Sequence, residues 1–494
     1  MTAGPVPPVA AFGQPRITAG FNWHHRLDLQ AHNTVHPPLA MLDLGQLIQL
    51  ADAIVLRGRG GAGFPFARKL VAVADSAQER ALSPVVVVNG TEGEPAAWKD
   101  KVLLTRAPHL ILDGAELAAE TLAAAEIVVA VADDGVGEAS MTAALAERVL
   151  PVPARLVRVP HRFISGEGGA LVRGINGETP IPPGIKVRAS DTGVGGRPTL
   201  LSNAETFAQL GLAARIGPYE YNSTGLRDEP GTVLLTITGS TPTPIVVECP
   251  TGTSLEEVLW HCSAPIGPAI LIGGFHGMWM TAEQARGAVI SRDQLARRGV
   301  SLGAGVIAPL GEGTCPLGEA ARVVDYLAKE SAGQCGPCRL GLPDLARRMS
   351  ELVTGTGSVA AVRAAANGVR GRGACYHPDG TAGFAISAAD AFAADVAAHS
   401  RGGSCGRPVR GVLPIPGALS DGSAKLAVDW TRCEGHGLCA HVAPDLISLD
   451  GNGFPAFADA PVPVRLEAAA RRAVSMCPGL ALRLSEPQGA ASPS

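Results

Sequence analysis

Pro84-Val-Val-Val-Val-Asn89-Gly-Thr-Glu-Gly-Glu94 opens on four consecutive β-branched residues and closes on a polar, glycine-containing turn. An apolar run without alternation is a strand buried on both faces. The pattern returns in Glu126-Ile-Val-Val-Ala-Val131 and, more briefly, in Arg155-Leu-Val-Arg-Val159. Helical periodicity fills the intervals 110–124 and 138–150. Strands alternating with helices predict a parallel α/β sheet, in which ligands bind beyond the carboxyl ends of the strands. That rule brings the loops 89–94 and 161–169, both rich in Gly and Glu, to one functional edge.

Away from this sheet the pattern changes several times. Residues 1–40 are rich in Pro and His and carry no stable period, which predicts an irregular arm. Residues 231–281 show alternating strands around one short helix, whose start is marked by the capping box Ser254-Leu-Glu-Glu257, and predict a small α+β module. Residues 316–331, 342–354, 358–367 and 386–399 are Ala-rich and amphipathic, as expected of a helical bundle. The Gly- and Pro-rich stretch 401–424 reads as a flexible linker. A last module starts with a strand at Lys425, turns at Asp450-Gly-Asn-Gly453 and ends near Ser485, with a tail beyond. The chain of 494 residues is therefore expected to be multidomain, α/β followed by α+β.

Net charge is −4 and acids and bases are mixed along the chain, with no basic stripe for a phosphate backbone, so nucleic acid is not expected as a partner. No apolar run approaches the ~18 residues that span a bilayer, and the first residues lack the charged and apolar regions of a secretion signal. A cytoplasmic protein without direct membrane insertion is expected. Ten cysteines are too sparse for a disulfide scaffold, and six of them fall in two C-terminal groups, which suits metal ligands better than bridges.

The first group is Cys335-Gly-Pro-Cys338 with Cys375; the second is Cys433-Glu-Gly-His436-Gly-Leu-Cys439 with Cys477-Pro478. Both read as iron–sulfur signatures, and two clusters on one chain imply single-electron transfer. Upstream, Gly58-Arg59-Gly60-Gly61-Ala62-Gly63 is a candidate phosphate cradle, followed by Phe64 and by the basic pair Arg68-Lys69 in a chain with only six lysines. Glycines also serve tight turns, so the run alone is weak. Glu92 and Glu94, at the end of a buried strand, are candidate ligand-binding acids rather than solvated ones.

Together these residues carry a resemblance. Arg57 to Pro65, Asn89 to Asp100, Phe163-Ile-Ser-Gly166-Glu167, Pro198-Thr-Leu-Leu-Ser202-Asn203-Ala-Glu205-Thr206 and Glu330 to Cys338 follow the order and spacing of the NADH- and FMN-binding subunit of respiratory complex I and its soluble relatives. The resemblance covers residues 45 to 400. It implies a flavin and nucleotide domain at 45–229, a β-grasp module of the soluble-ligand-binding type at 230–304 and an iron–sulfur helical bundle at 305–400, after an N-terminal arm at 1–44. It implies that Gly58, Arg59, Gly60, Gly61, Gly63, Lys69, Asn89, Glu92, Gly166, Glu167, Ser202 and Asn203 surround FMN. Phe64 would stack on adenine and Glu94 would hydrogen-bond the nucleotide. The flavin carries the hydride chemistry, so no catalytic acid or base is required. The segment 425–486 resembles the small three-cysteine ferredoxins, following the linker 401–424 and preceding the tail 487–494.

Three departures from the family pattern matter. Gly168 stands where a second glutamate is usual, and two aromatic positions fall at Ala72 and Arg188. Loss of the acid weakens discrimination against a 2′-phosphate, which Arg188 could meet, so NADPH use or loose NADH binding is expected. In the inner cysteine group the first family position is Ala332. Cys315 is an unsuitable replacement, because ~16 helical residues would separate it from the cluster by roughly 24 Å. His377 or Cys405 could complete the site, a [3Fe-4S] centre could replace [4Fe-4S], and the same ligands would also suit Zn²⁺. His436 could ligate a fourth iron of the ferredoxin module or face the open corner of a three-iron cluster.

The expected activity is that of an NAD(P)H:acceptor oxidoreductase with FMN, an inner cluster and a fused ferredoxin. Expected acceptors are a cytochrome P450, a free ferredoxin or a membrane-bound reductase component, and a thioredoxin-like [2Fe-2S] subunit is a further candidate partner. A subunit that relays electrons without itself oxidising NAD(P)H is the alternative.

Overall fold

Val85–Gly90 lies at the centre of a four-stranded parallel sheet, ordered Ala154–Val159, Glu126–Ala132, Val85–Gly90, Thr199–Asn203. The computed structural model describes residues 6–185, 187–264, 266–416, 425–444, 446–457, 462 and 464–485. Val85, Val86, Val87 and Val88 are buried on both faces of the sheet, which is why the run does not alternate. Helices Lys99–Arg106, Pro108–Thr121 and Ala204–Asn222 cover one face in a core with Phe66, Leu110, Val129 and Phe207. Register pairs Asn89 with Asn203, so two of the loops that leave the sheet start level with each other.

A second, mixed sheet runs in the order Val9–Ala11, Ile245–Pro250, Thr232–Ile237, Val306–Leu310, Ala269–Ile272, Met278–Thr281. Helix Leu255–His261 packs beside it, and Ser254 caps that helix by accepting from Glu257 N–H, one of the two bonds that the capping-box spacing predicts. Two of these strands lie outside the stretch read as the small module. Val306–Leu310, expected within the helical bundle, pairs in parallel with Thr232–Ile237.

Val9–Ala11, expected within an irregular arm, pairs in parallel with Ile245–Pro250. The arm is corrected to an integral part of the core. The buried carboxylate of Glu248 accepts from the backbone N–H groups of Arg16 (3.1 Å), Ile17 (2.9 Å) and Thr18 (2.9 Å) and from the Thr18 hydroxyl (2.6 Å). Ile17 and Leu27 are fully buried, and Asp28 caps a helix at Leu29–Val35. A segment without periodicity is ordered here by a distant carboxylate and a few apolar anchors.

Helices Pro316–Lys329, Leu342–Val353, Val359–Val369, His377–Ala391 and Ala393–Gly402 follow the second sheet. The helix expected at 386–399 is two, broken at Phe392, whose ring is buried against Trp279. The linker expected over 401–424 is shorter than its composition suggests. Cys315 N–H donates to Pro408 O (2.8 Å), and Arg410 and Gly411 N–H groups bond the buried Glu319 carboxylate, so the chain is packed as far as Leu413. Residues 417–424 lie outside the described residues. Among the described residues no single helix is long and apolar enough to cross a membrane.

The chain divides into two units, Met1–Leu413 and Pro414–Ser494. Within the second, Lys425–Val428 pairs antiparallel with Leu482–Ser485, Ser448–Leu449 with Pro455–Ala456, and helices Leu438–Val442 and Val464–Ser475 complete a small α+β fold around Ile447, Ala473 and Leu482.

Candidate functional site

Asn89 is the last side chain of the central strand to face the loops, and it ties two of them together. Its amide donates to Gly166 O (3.0 Å), while its carbonyl accepts from Thr91 N–H and hydroxyl. The loops 91–98 and 160–168 are thereby held as opposite lips of a cavity of about 630 Å³ at the carboxyl edge of the parallel sheet. Gly60, Gly61, Asn89, Glu92, Glu94, Gly166, Glu167 and Asn203 all line it, together with Gly168 and His377. Glu167 and Asn203 each cap a helix that starts at the cavity, accepting from Ala170 N–H (2.9 Å) and Glu205 N–H (3.1 Å).

The glycine-rich segment forms the remaining wall. Gly58 N–H donates to Phe64 O and Arg59 N–H to the Thr206 hydroxyl, which pins both ends of the loop. Gly61 lies at φ +122°, a backbone that side chains disfavour. Among the described residues no acceptor answers the N–H groups of Gly60, Gly61 and Ala62. Three free backbone donors on a concave wall beside the helix starting at Ala204 are the cradle an anionic phosphate requires. The other predicted residues stand behind or beside this wall. Phe64 is about half exposed, Ser202 is buried in its strand, and Gly63 lies near Arg292. Lys69 donates to Leu201 O (2.8 Å), and burial pulls its pKa down to about 8.

Beneath the cavity runs a buried charge network that the sequence did not single out. Lys99 Nζ contacts Asp100 (2.8 Å), Asn203 Oδ1 (3.0 Å) and Glu205 (3.1 Å), and the Asn203 amide donates to Asp100 (2.6 Å). Lys99 and Glu205 are each 2 % exposed. Burial opposes the lysine's charge, but Asp100, Glu205 and Glu92 outweigh it and raise its pKa. Glu92 accepts from Asp100 and Lys101 N–H groups; burial and Asp100 push its carboxyl upward. Glu94 is raised to about 7 by burial, against hydrogen bonds from Phe275 and Ala96 N–H. The scarcity of lysine was the available signal for Lys99, which opens the helix that follows Glu94's loop. Gly273, His276 and Ser301, from the second sheet's loops, also line the cavity and carry no local signature.

The family positions at Ala72 and Arg188 do not reach the cavity. Ala72 is on the exposed face of helix Phe66–Arg80, and Arg188 is exposed and away from the cavity lining.

In the inner cysteine group Cys335 Sγ and Cys338 Sγ stand 3.5 Å apart, and Cys338 lies in a wide π turn at Pro337–Gly341. Burial pushes the Cys335 thiol up, but N–H bonds from Ala374 and Cys338 bring it below its ordinary range, placing the chain next to Cys375 against it. Burial pushes Cys375 up to about 11. Clustered thiols with backbone N–H donors fit an iron–sulfur centre, with an apolar Ala332 in place of a fourth ligand. The two proposed substitutes are committed elsewhere. His377 Nε2 bonds Leu327 O (2.7 Å) and its Nδ1 bonds His276 (3.0 Å). Cys405 stands with Cys315 and His399.

In the second unit Cys433, Cys439 and Cys477 line one small cavity with His436, and Cys477 Sγ accepts from Ala481 N–H (3.3 Å). The thiol donor set and this N–H···S bond suit a cluster of the same kind.

Three family models match: the Nuo51 FMN-binding domain over residues 52–211, the NADH-ubiquinone oxidoreductase-F iron–sulfur binding region over 318–399, and a 4Fe-4S single cluster domain over 426–484. The chain carries an FMN-binding domain and an iron–sulfur region similar to those of NADH-quinone oxidoreductase F subunits, followed by a C-terminal 4Fe-4S single cluster domain. Among its relatives, the NADH-quinone oxidoreductase F 2 subunit of Rhizobium meliloti is 27% identical over 72% of this chain and 88% of its own length. The HndC subunit of the NADP-reducing hydrogenase of Solidesulfovibrio fructosivorans is 24% identical over 81% of this chain and 83% of its own. A solved NAD⁺-reducing [NiFe]-hydrogenase in the air-oxidized state shares the fold with TM-score 0.67 and 24% identity, over 79% of this chain and 67% of that one. The cavity between the 58–63, 91–98 and 160–168 loops falls in the matched FMN-binding region and its bordering loops.

Proposed function

We propose that this chain oxidises NADH or NADPH in the cavity and delivers the electrons singly to a redox protein partner. FMN, when bound, takes up the electron pair of a hydride and releases electrons one at a time. The observation that carries this reading is that Gly60, Gly61 and Ala62, whose N–H groups find no acceptor among the described residues, line a cavity floored by the Lys99 network. Those donors would hold the flavin phosphate. Asn89, Gly166 and Asn203 would bond the polar chain of the cofactor, and Lys99 sets the charge of the floor.

Glu94, with Phe275 N–H beside it, faces the nucleotide, and Phe64 is free to stack on adenine. A Cβ at Gly168 would meet nothing within 4 Å, so the cavity wall has room where a second acid would oppose a 2′-phosphate. NADPH is accordingly accepted beside NADH. Cys335, Cys338 and Cys375 would hold the inner cluster, of [3Fe-4S] or [4Fe-4S] type, and Cys433, Cys439 and Cys477 that of the ferredoxin module.

Anaerobic titration of the purified chain with each nucleotide, followed by absorbance and EPR, tests the reading. Flavin bleaching followed by reduced-cluster signals is expected with both. No bleaching with either nucleotide would instead make the chain a relay that receives electrons from another protein.

A further inference from the structure

Three side chains that the flavin site does not use converge at the far ends of the helical region. Cys315 caps helix Pro316–Lys329, its Sγ accepting from Gly318 N–H (3.4 Å). His399 lies in the last turn of Ala393–Gly402, and Cys405 follows once the chain has turned through Gly403 at φ +71°. One ligand atom from each of the three lies within 4.8 Å of the others, and Cys315 Sγ is 3.3 Å from His399 Nε2. A tetrahedral zinc with ordinary Zn–S and Zn–N lengths separates such atoms by roughly 3.6 Å.

The histidine is already set as a ligand. Its Nδ1 lies 2.6 Å from Val353 O, and a carbonyl only accepts, so Nδ1 carries the proton and Nε2 turns a bare lone pair toward the two sulfurs. A backbone carbonyl behind the imidazole is the usual outer partner of a metal-bound histidine. Cys315 and His399 are buried while Cys405 is half-buried, which leaves one side of the trio open to a water. Beside Cys405, Arg407 pairs with Asp395.

We propose that Cys315, His399 and Cys405 bind one Zn²⁺, with water in the fourth position, distinct from both iron–sulfur groups. Two thiols give up their protons and the neutral imidazole contributes its lone pair, so the donor set is two thiolates and one nitrogen, suited to a borderline-soft divalent cation. The ion would fasten the segment 405–411 to the start of helix Pro316–Lys329, alongside the Pro408 and Glu319 hydrogen bonds. This assignment is independent of the flavin reading.

The test measures zinc, iron and flavin per chain in the full-length protein purified anaerobically under reducing conditions and offered Zn²⁺, with Cys405→Ala and His399→Gln alongside. About one zinc per chain is expected, falling at least fivefold in both variants while iron and flavin stay unchanged. Co²⁺ loading should give a thiolate-to-cobalt absorption band that Cys405→Ala abolishes. Zinc retained in both variants would place the metal elsewhere, and absence of zinc, including trapping of Cys315 and Cys405 as a disulfide, would equally overturn the assignment.

Discussion

His377 Nδ1 stands 3.0 Å from His276 Nε2, and this contact joins the cavity wall to the helix that follows Cys375. Because His377 Nε2 donates to Leu327 O, its Nδ1 is the acceptor and His276 must donate. Phe163 packs its edge on His276 with ring centroids 4.6 Å apart, so the 160–168 loop, the second sheet and the helical region all meet at this pair.

Replacing His276 with Ala strands a buried acceptor. His276→Ala is expected to cost about 1–3 kcal/mol, read as a lower Tm of the flavin-loaded chain. His276→Gln, which keeps a donor, should recover part of the loss. Equal losses in both would show that the hydrogen bond is not the cause.

Lys99→Met leaves Asp100 and Glu205 buried without their cation. A loss of about 3–5 kcal/mol is expected, together with release of FMN seen as a rise in flavin fluorescence. The double variant Lys99→Met/Glu205→Gln removes one stranded charge and should be more stable than Lys99→Met alone.

Glu94 gives a pH dependence with a definite sign. Its pKa is raised from 4.5 to about 7 by burial. Between those values the unfolded chain releases a proton that the folded chain retains. The stability contribution is therefore full below 4.5, falls as pH rises, and levels off above 7. Glu94→Gln lacks this effect, so wild type should lose Tm relative to the variant over that window. A constant difference from about pH 5 to 8 would remove Glu94 as the source.

Gly168→Glu places an acid where the wall is open. The ratio of kcat/KM for NADH over NADPH should rise at least tenfold, chiefly through KM for NADPH, because a like charge would face the 2′-phosphate. An unchanged ratio would place nucleotide selection elsewhere.

Ala332→Cys adds a thiol three residues before Cys335, at the position where the sequence resemblance expects a ligand. Iron content is expected to rise by about one per chain, with a changed EPR spectrum of the inner centre. An unchanged iron count would mean that the centre already holds its full complement.

Local sequence was enough for everything that depends on local chemistry. Four valines at 85–88 can only be a strand covered on both faces, and repeating that signal between helical stretches leaves a parallel sheet as the economical solution. The same alternation puts Asn89, Glu92 and Glu94 at the ligand edge. The two cysteine groups were legible because most of their members lie a few residues apart, and the Ser254 cap because its partner is three residues on.

Where the partner is distant, only the tertiary structure decided. The N-terminal arm is ordered by Glu248, which is 232 residues from Arg16, and Val306–Leu310 enters the second sheet because Thr232–Ile237 offers it an edge. The chain past Arg401 reads as a linker by composition, yet Glu319 and Cys315 hold it to the helices as far as Leu413. Lys99 with Glu205, His276 with His377, and Cys315 with His399 and Cys405 meet for the same reason. Periodicity records which face of an element is apolar, whereas the pairing of buried polar groups is fixed by which elements the packed core brings side by side.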